Sequence, residues 1–172
     1  MIRINLFFMT IIWVSCTFSF YMLAYKVKYF PGSLNMNQAA SLIAEATAYI
    51  SVGFLATKYR AKPLFTVFFS MSAVSGLLII LTGSNANAIF VILVLLAKFG
   101  VSAAFGLVYI AHPKMFPTLF SVSSMGIVNF ISRLVTIAAP MIAEIAFPVP
   151  MLIFTAMCVI SAISAFFLIE SN

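Results

Sequence analysis

The feature that most constrains this chain is a series of six apolar segments. A transmembrane helix needs about 20 predominantly apolar residues, and runs of this length exceed what a barrel strand requires. We place the segments at residues 5–25, 39–57, 64–82, 89–111, 118–147 and 151–169. The sequence therefore predicts an all-α fold, a single bundle of six transmembrane helices occupying residues 1–172.

The composition supports a membrane protein. Hydrophobic residues make up 65% of the chain and charged residues only 7%, whereas a soluble domain carries about 25% charged residues to hydrate its surface. The net charge of +6 would suggest nucleic acid in a soluble protein. Here most cations flank apolar segments, so we expect a lipid bilayer as the partner and no nucleic acid.

An enzymatic role is not expected from the available side chains. The chain has three acidic residues and one histidine, and these are not clustered as catalytic groups or metal ligands would be. His112, at the end of the fourth segment, is interpreted as structural or solvated. We predict neither a cofactor nor a metal.

The orientation follows from the basic residues between segments. With both termini on one side, that side collects Arg3, Lys58, Arg60, Lys62 and Lys114, and the other side holds Lys26 and Lys28. The positive-inside rule then places both termini inside. The sequence does not identify the membrane, and the inner mitochondrial membrane is one candidate.

Four ionisable residues lie within the apolar segments: Glu45, Lys98, Arg133 and Glu144. A charge at mid-bilayer costs about 2.5–3.5 kcal/mol on insertion scales, so such residues normally face the bundle interior. Segments two, four and five should therefore line something polar, while segments three and six should be peripheral. Glu45 can pair with Lys98 or with Arg133, which leaves one cation over. Glu144, near a segment end, can reach the interface.

An aromatic cluster in the first segment, "WVSCTFSFYMLAY", has two readings. Its rings, which include Phe20 and Tyr21, can grip a flat organic molecule. Aromatic residues are also common in packing contacts and in interface belts. The sequence alone leaves both interpretations open.

The stretch "AKFGVSAAFGLVYIAHPKMFPTLF" resembles the tenth helix and following loop of the organic cation/anion/carnitine transporters of the major facilitator superfamily. "WVSCTFSFYMLAY" is similar to the seventh helix of that family, "MGIVNFISRLVTIAAP" to its eleventh, and "FFLIESN" to its closing helix end, with Glu170 at the family glutamate. The resemblance covers the C-terminal six-helix half. The matching positions of the tenth helix are Lys98, Phe99, Ala103, Ala104, Phe105, Tyr109, Phe116, Pro117 and Thr118.

The resemblance implies roles for several residues. Lys98 stands where the family often has a cavity-facing lysine, and Arg133 where its anion carriers tend to have an arginine. Phe20 and Tyr21 match an aromatic pair that lines the substrate path, and Glu45 is a further cavity candidate. Two cations imply an organic anion as substrate, because opposite charges attract strongly in a low-dielectric site.

The departures from the family pattern concern the loops that latch the alternating states. The family glutamate is here Lys114, its later arginine is Ser121, and the loop between the second and third segments reads "TKYRAK". Lys58, Arg60, Lys62 and Lys114 are therefore gating candidates whose charges do not match the family network.

Two functions remain open. In the first, the chain is an accessory, structural subunit whose face, formed by segments one, two, four and five, is covered by other membrane subunits. In the second, it is a half-transporter for organic anions that works as a homodimer or with a separate N-terminal half, because substrate binds between two halves in this superfamily. The altered loop favours the first. A fragment of a full transporter is a third reading.

Overall fold

The structure, a computed structural model, describes residues 2–30, 33–83 and 88–169. These residues form α1 (Ile2–Lys26), α2 (Leu34–Lys58), α3 (Ala61–Thr82), α4 (Ala88–Met115), α5 (Thr118–Thr136), α6 (Ala138–Glu144) and α7 (Val149–Phe166). A short 3₁₀ turn, Val27–Tyr29, follows α1. Glu170 lies outside the described residues.

The predicted all-α membrane fold is confirmed. Within the described ranges, six stretches are long and apolar enough to cross a membrane, and α5 with α6 makes up one of them, Thr118–Glu144. The segment is interrupted at Ile137, between α5 and α6. Pro140 explains the interruption, because a proline cannot donate to the carbonyl four residues earlier and its ring clashes with that carbonyl.

Several helix ends differ from the sequence-based bounds. α2 begins at Leu34 rather than at residue 39, because Ser33 caps it by accepting a hydrogen bond from the Met36 amide at 3.4 Å. α4 continues through Pro113 to Met115, and α7 begins at Val149 with Pro150 in its first turn. A proline is tolerated there because first-turn amides have no helical partner.

The arrangement of the helices sets up one open face. α1 and α4 pack against each other at the centre, and α3 and α7 pack against each other behind them, α3 on α4 and α7 on α1. α2 flanks α4 on one side, whereas α5 and α6 flank α1 on the other. The side of α1 and α4 that faces away from α3 and α7 therefore lies between α2 and α5, and we call it the front face.

Small residues bring the helices of this bundle close together. A Cβ added at Gly100 would overlap the Ser72 hydroxyl of α3, and one added at Gly106 would lie 2.9 Å from the Tyr49 ring of α2. Close approach of backbones is how membrane helices gain packing energy, since lipid is as apolar as their side chains. The two glycines thus hold α4 between α3 and α2.

Candidate functional site: the charged front face

Two neighbouring side chains stabilise the positive charge of Lys98. Its ammonium nitrogen lies 3.4 Å from Glu45 Oε2 on α2 and 3.7 Å from the centroid of the Phe20 ring on α1. The residue is only 3% exposed. An ion pair and a cation–π contact together stabilise a charge that a lipid environment would disfavour. The structure therefore pairs Glu45 with Lys98, the first of the two pairings that the sequence allowed.

Glu45 has a second partner on its own helix. The Tyr49 hydroxyl donates a hydrogen bond to Glu45 Oε1 at 3.3 Å, across one helical turn. Each carboxylate oxygen thus has a polar neighbour. Sequence reasoning did not single out Tyr49, although its spacing from Glu45 places both on one side of a helix.

The space beside Lys98 is small. A cavity of about 30 Å³ lies against its side chain, lined also by Ser41 of α2 and by apolar residues of α1 and α4. A cavity of this size holds a water molecule, whereas an organic ion needs several hundred cubic ångströms. In this conformation Lys98 is not open to an organic substrate.

Arg133 lies on the opposite side of the front face and has different surroundings. Its Nη1 donates a hydrogen bond to the Tyr21 hydroxyl at 2.9 Å, and its guanidinium carbon lies 5.5 Å from the Tyr21 ring centroid. The residue is exposed. No described carboxylate forms a salt bridge with it. Arg133 is thus the cation left over after the Glu45–Lys98 pair has formed.

An aromatic row joins the two cations across α1 and α4. Phe20 lies 5.4 Å from Tyr21 and 5.0 Å from Phe105, and Phe105 lies 5.4 Å from Tyr109, measured between ring centroids. The predicted pair of Phe20 and Tyr21 therefore extends onto α4. The spacing of Phe105 and Tyr109 from Lys98, seven and eleven residues, places all three on one helical face and could have indicated this.

Two lysines connect α1 to α6 at the end of the bundle where α1 ends. Lys26 donates to the carbonyls of Ala143 and Ile145 at 3.0 Å each, and Lys28 forms a 3.3 Å salt bridge with Glu144. Glu144 is exposed, as expected for a side chain that reaches the interface. These contacts fasten the end of α1 to the end of α6, away from the front-face cations.

The gating candidates lie at the other end of the bundle. Lys58, Arg60 and Lys114 line a cavity of about 420 Å³ where α2 ends, α3 begins and α4 ends. Lys62 is in the first turn of α3 and is not one of the lining residues. The structure therefore brings three of the four candidates together, and it separates them from Lys98 and Arg133.

His112 is buried, so the interpretation as a solvated side chain is wrong. It is 0% exposed, its Nε2 lies 3.0 Å from the Ser124 hydroxyl oxygen, and its ring lies 4.6 Å from that of Phe116. The contact with Ser124 ties α4 to α5. A structural role fits these contacts.

The six apolar stretches of the fold define an integral, multi-pass membrane protein. The chain is similar to Solute carrier family 22 member 15 of Xenopus tropicalis, with 31% identity over 79% of this chain and 27% of the relative. It is similar to Solute carrier family 22 member 4 of Mus musculus, with 27% identity over 75% of this chain and 23% of the relative. Against Organic cation/carnitine transporter 2 of Homo sapiens, identity is 26% over 93% of this chain and 29% of the relative.

These similarities confirm the resemblance to the organic cation and carnitine transporters that the sequence motifs predict. No protein-family model matches the chain. The chain spans between a fifth and a third of the length of these relatives. The covered share is 23% for the mouse relative and 29% for the human relative. The human relative is named as a transporter, and the other two relatives are named as solute carriers.

Proposed function

We propose that the chain is an accessory, structural subunit of a larger membrane complex, and that another membrane protein covers its front face. The observation that carries this proposal is the exposed Arg133. It lies eleven residues from Glu144, at the end of α6, and fifteen from Thr118, at the start of α5. At about 1.5 Å per residue, its depth is about 16 Å from one end of the span and about 22 Å from the other.

An arginine at this depth is costly against acyl chains, by about 2.5–3.5 kcal/mol or more. The cost disappears when protein or water covers the guanidinium. The surface of α5 around Arg133 is mixed: Asn129 and Thr136 are polar and partly exposed, whereas Phe130 is 66% exposed and Ile137 is 67% exposed. These residues are one helical turn before and after Arg133, so they share its side of the helix.

A surface on which exposed apolar residues surround an arginine with an aromatic neighbour has the composition of a protein interface. The surroundings of Lys98 support the same reading, because Glu45 and Phe20 already satisfy that cation. The front face therefore favours a protein partner over a soluble anion.

The gating candidates also favour a structural role. Lys58, Arg60 and Lys114 surround one cavity, and like charges near each other repel. The family resemblance places a glutamate at the position of Lys114, where it would pair with basic loop residues. With a lysine there, the loop cannot form the same latch.

Photo-crosslinking of the full chain in its native membrane tests the proposal. A photoreactive residue at Phe130 or Ile137 should give a crosslinked protein of one defined mass. Matched probes at Val74 of α3 and Ile163 of α7, which are similarly exposed on the back of the bundle, should capture only lipid. Arg133→Glu should abolish the front-face product. Equal protein capture from both faces, or lipid alone from the front face, would contradict the proposal.

A second candidate function, organic-anion transport by a half-transporter, rests on the contact between Arg133 and Tyr21. An arginine backed by a tyrosine hydroxyl can hold a carboxylate. In reconstituted vesicles, uptake of an aromatic carboxylate such as benzoate should then fall at least tenfold with Arg133→Ala and persist with Lys28→Ala. Unchanged uptake with Arg133→Ala rejects this candidate. A front-face crosslink between two copies of the chain would favour it over the accessory role.

A further inference from the structure

A second cationic site lies outside the front face, at the end of the bundle that carries the gating candidates. It is the cavity of about 420 Å³ lined by Lys58 at the end of α2, Arg60 before α3 and Lys114 in the last turn of α4. We call it the basic pocket. It lies at the opposite end of the helices from Lys26 and Lys28.

The described charged residues of the basic pocket are all cationic. Within the part of the chain that the structure describes, no acidic residue lines it. The two described carboxylates, Glu45 and Glu144, form their salt bridges with Lys98 and Lys28. Lys58 and Lys114 form no salt bridge with any described residue, and both are exposed. The pocket therefore attracts an anion.

The α4 side of the basic pocket has an apolar wall. Ile110 and Met115, which are partly exposed, line this side together with the buried Leu107 and Ala111. The three basic residues lie at helix ends, and in a membrane-spanning bundle helix ends lie at the level of the lipid headgroups. At that level, the cationic residues can bind the phosphate headgroup of a phospholipid, and the apolar wall can contact its acyl chain.

The start of α3 adds to the attraction. Arg60 is the N-cap residue of α3, and a guanidinium has no acceptor with which it could cap the first-turn amides. The first turn of a helix carries partial positive charge, so it favours a nearby anion. The effect is secondary here, because the lysines of α2 and α4 lie at helix C-termini, where the dipole has the opposite sign.

The lysines also have a simpler explanation, since cations at helix C-termini and in inside loops are common. That explanation accounts for each lysine separately. It does not account for three cations from three helix ends around one cavity with an apolar wall. Basic pockets of this kind between transmembrane helices bind anionic lipid headgroups.

We infer that the basic pocket binds the phosphate headgroup of an anionic phospholipid. The phosphate lies between Lys58, Arg60 and Lys114, and an acyl chain runs along α4 past Met115. Free inorganic phosphate shares the headgroup chemistry but not the apolar contact. The site is separate from the front face, so it does not depend on the proposed subunit role.

Calorimetric titration of the full chain in neutral detergent tests this assignment with three probes: dioctanoyl phosphatidylglycerol, dioctanoyl phosphatidylcholine and sodium phosphate. We expect phosphatidylglycerol to bind at least tenfold more tightly than either of the others. Lys58→Gln and Lys114→Gln should each weaken its binding roughly fivefold, since one cation near the surface contributes about 1 kcal/mol. Lys58→Arg and Lys114→Arg should retain binding, and Lys28→Gln, at the other end, should not affect it.

Equal affinity for phosphatidylglycerol and phosphatidylcholine overturns the proposal. Equal affinity for free phosphate makes the pocket a free-anion site and overturns the lipid assignment. A second measurement needs no substitution: a phosphatidylglycerol with a diazirine near its headgroup should label the peptide containing Leu107 and Met115. Excess phosphatidylglycerol should suppress this labelling, and labelling elsewhere alone would contradict the inference.

Discussion

Lys98 and Arg133 have the same charge and nearly the same depth, but the structure treats them differently. Lys98 is ten residues from the start of α4 at Ala88, and Arg133 is eleven from the end of α6 at Glu144, so both lie about 15–17 Å from the same end of the bundle. Lys98 is buried against Glu45 and Phe20. Arg133 is exposed, and its guanidinium contacts the ring and the hydroxyl of Tyr21.

The difference shows that helix neighbours, rather than depth, decide which charges pair. α2 packs on α4, which brings Glu45 to Lys98, whereas α5 packs on α1 and meets Tyr21. A carboxylate and a cation in a bilayer gain from pairing only when their helices touch. The helix order therefore leaves one side of the front face neutral and the other cationic.

The largest loss of stability is expected when the carboxylate of the Glu45–Lys98 pair is removed. Glu45→Gln leaves Lys98 buried without its counter-ion, and loss of one partner of a buried pair costs about 3–5 kcal/mol. Glu45 is partly exposed, so we expect a loss of about 3 kcal/mol in the free energy of unfolding. Reversible unfolding by SDS in mixed micelles measures it.

The matched control for this prediction is Glu144→Gln, the same change in the exposed pair with Lys28. Exposed pairs contribute little to stability, so this variant should unfold close to the wild type. If Glu144→Gln destabilised the chain as much as Glu45→Gln, the two environments would not differ as described.

An intermediate effect is expected from Phe20→Leu. The Phe20 ring lies 3.7 Å from the Lys98 nitrogen, and a desolvated cation–π contact contributes about 2 kcal/mol. The substitution keeps an apolar side chain but removes the ring face. The unfolding free energy should fall by about 1–2 kcal/mol. When Phe20→Leu is combined with Glu45→Gln, its effect on the unfolding free energy should differ from its effect in the wild type, because Phe20 and Glu45 both contact the Lys98 ammonium. Strictly additive losses in the double variant would argue against this coupling.

The smallest loss of stability is expected when the contact between Tyr21 and Arg133 is changed. Tyr21→Phe removes the hydroxyl that accepts from Arg133 and keeps the ring, and an exposed hydrogen bond contributes about 1 kcal/mol or less to stability. Unfolding of the isolated chain should therefore change by less than 1 kcal/mol. A loss as large as that of Glu45→Gln would mean that Arg133 stabilises the isolated fold rather than meeting a partner.

Much of the architecture could be predicted from the sequence because lipid imposes strong and local rules. Segments of about 20 apolar residues become helices, since every backbone polar group must be satisfied within the segment. Pro140 in the fifth segment accounts for the interruption between α5 and α6. Residues 34–38 lie outside the predicted second segment, because the apolar pattern does not reveal the N-cap at Ser33 that starts α2 at Leu34.

The site was predictable only in part. Lys98, Arg133 and Glu45 are predicted because charged residues are unusual in such segments. Phe20 and Tyr21 are predicted because they match an aromatic pair of the family that the sequence resembles. Whether these residues bind a substrate or a partner remains a prediction. Their grouping required the packing of separate helices. The same holds for the basic pocket, because Lys58 and Lys114 are far apart in sequence and meet only where α2 and α4 end.

The sequence by itself determined that this chain is a bundle of membrane helices and which few residues carry charge within it, because hydropathy and length act along one segment at a time. Only the tertiary structure decided that Glu45 neutralises Lys98, that Arg133 remains exposed, and that three cations at helix ends surround one cavity. Those outcomes depend on which helices touch, and contacts between segments follow from side-chain packing that no single segment specifies.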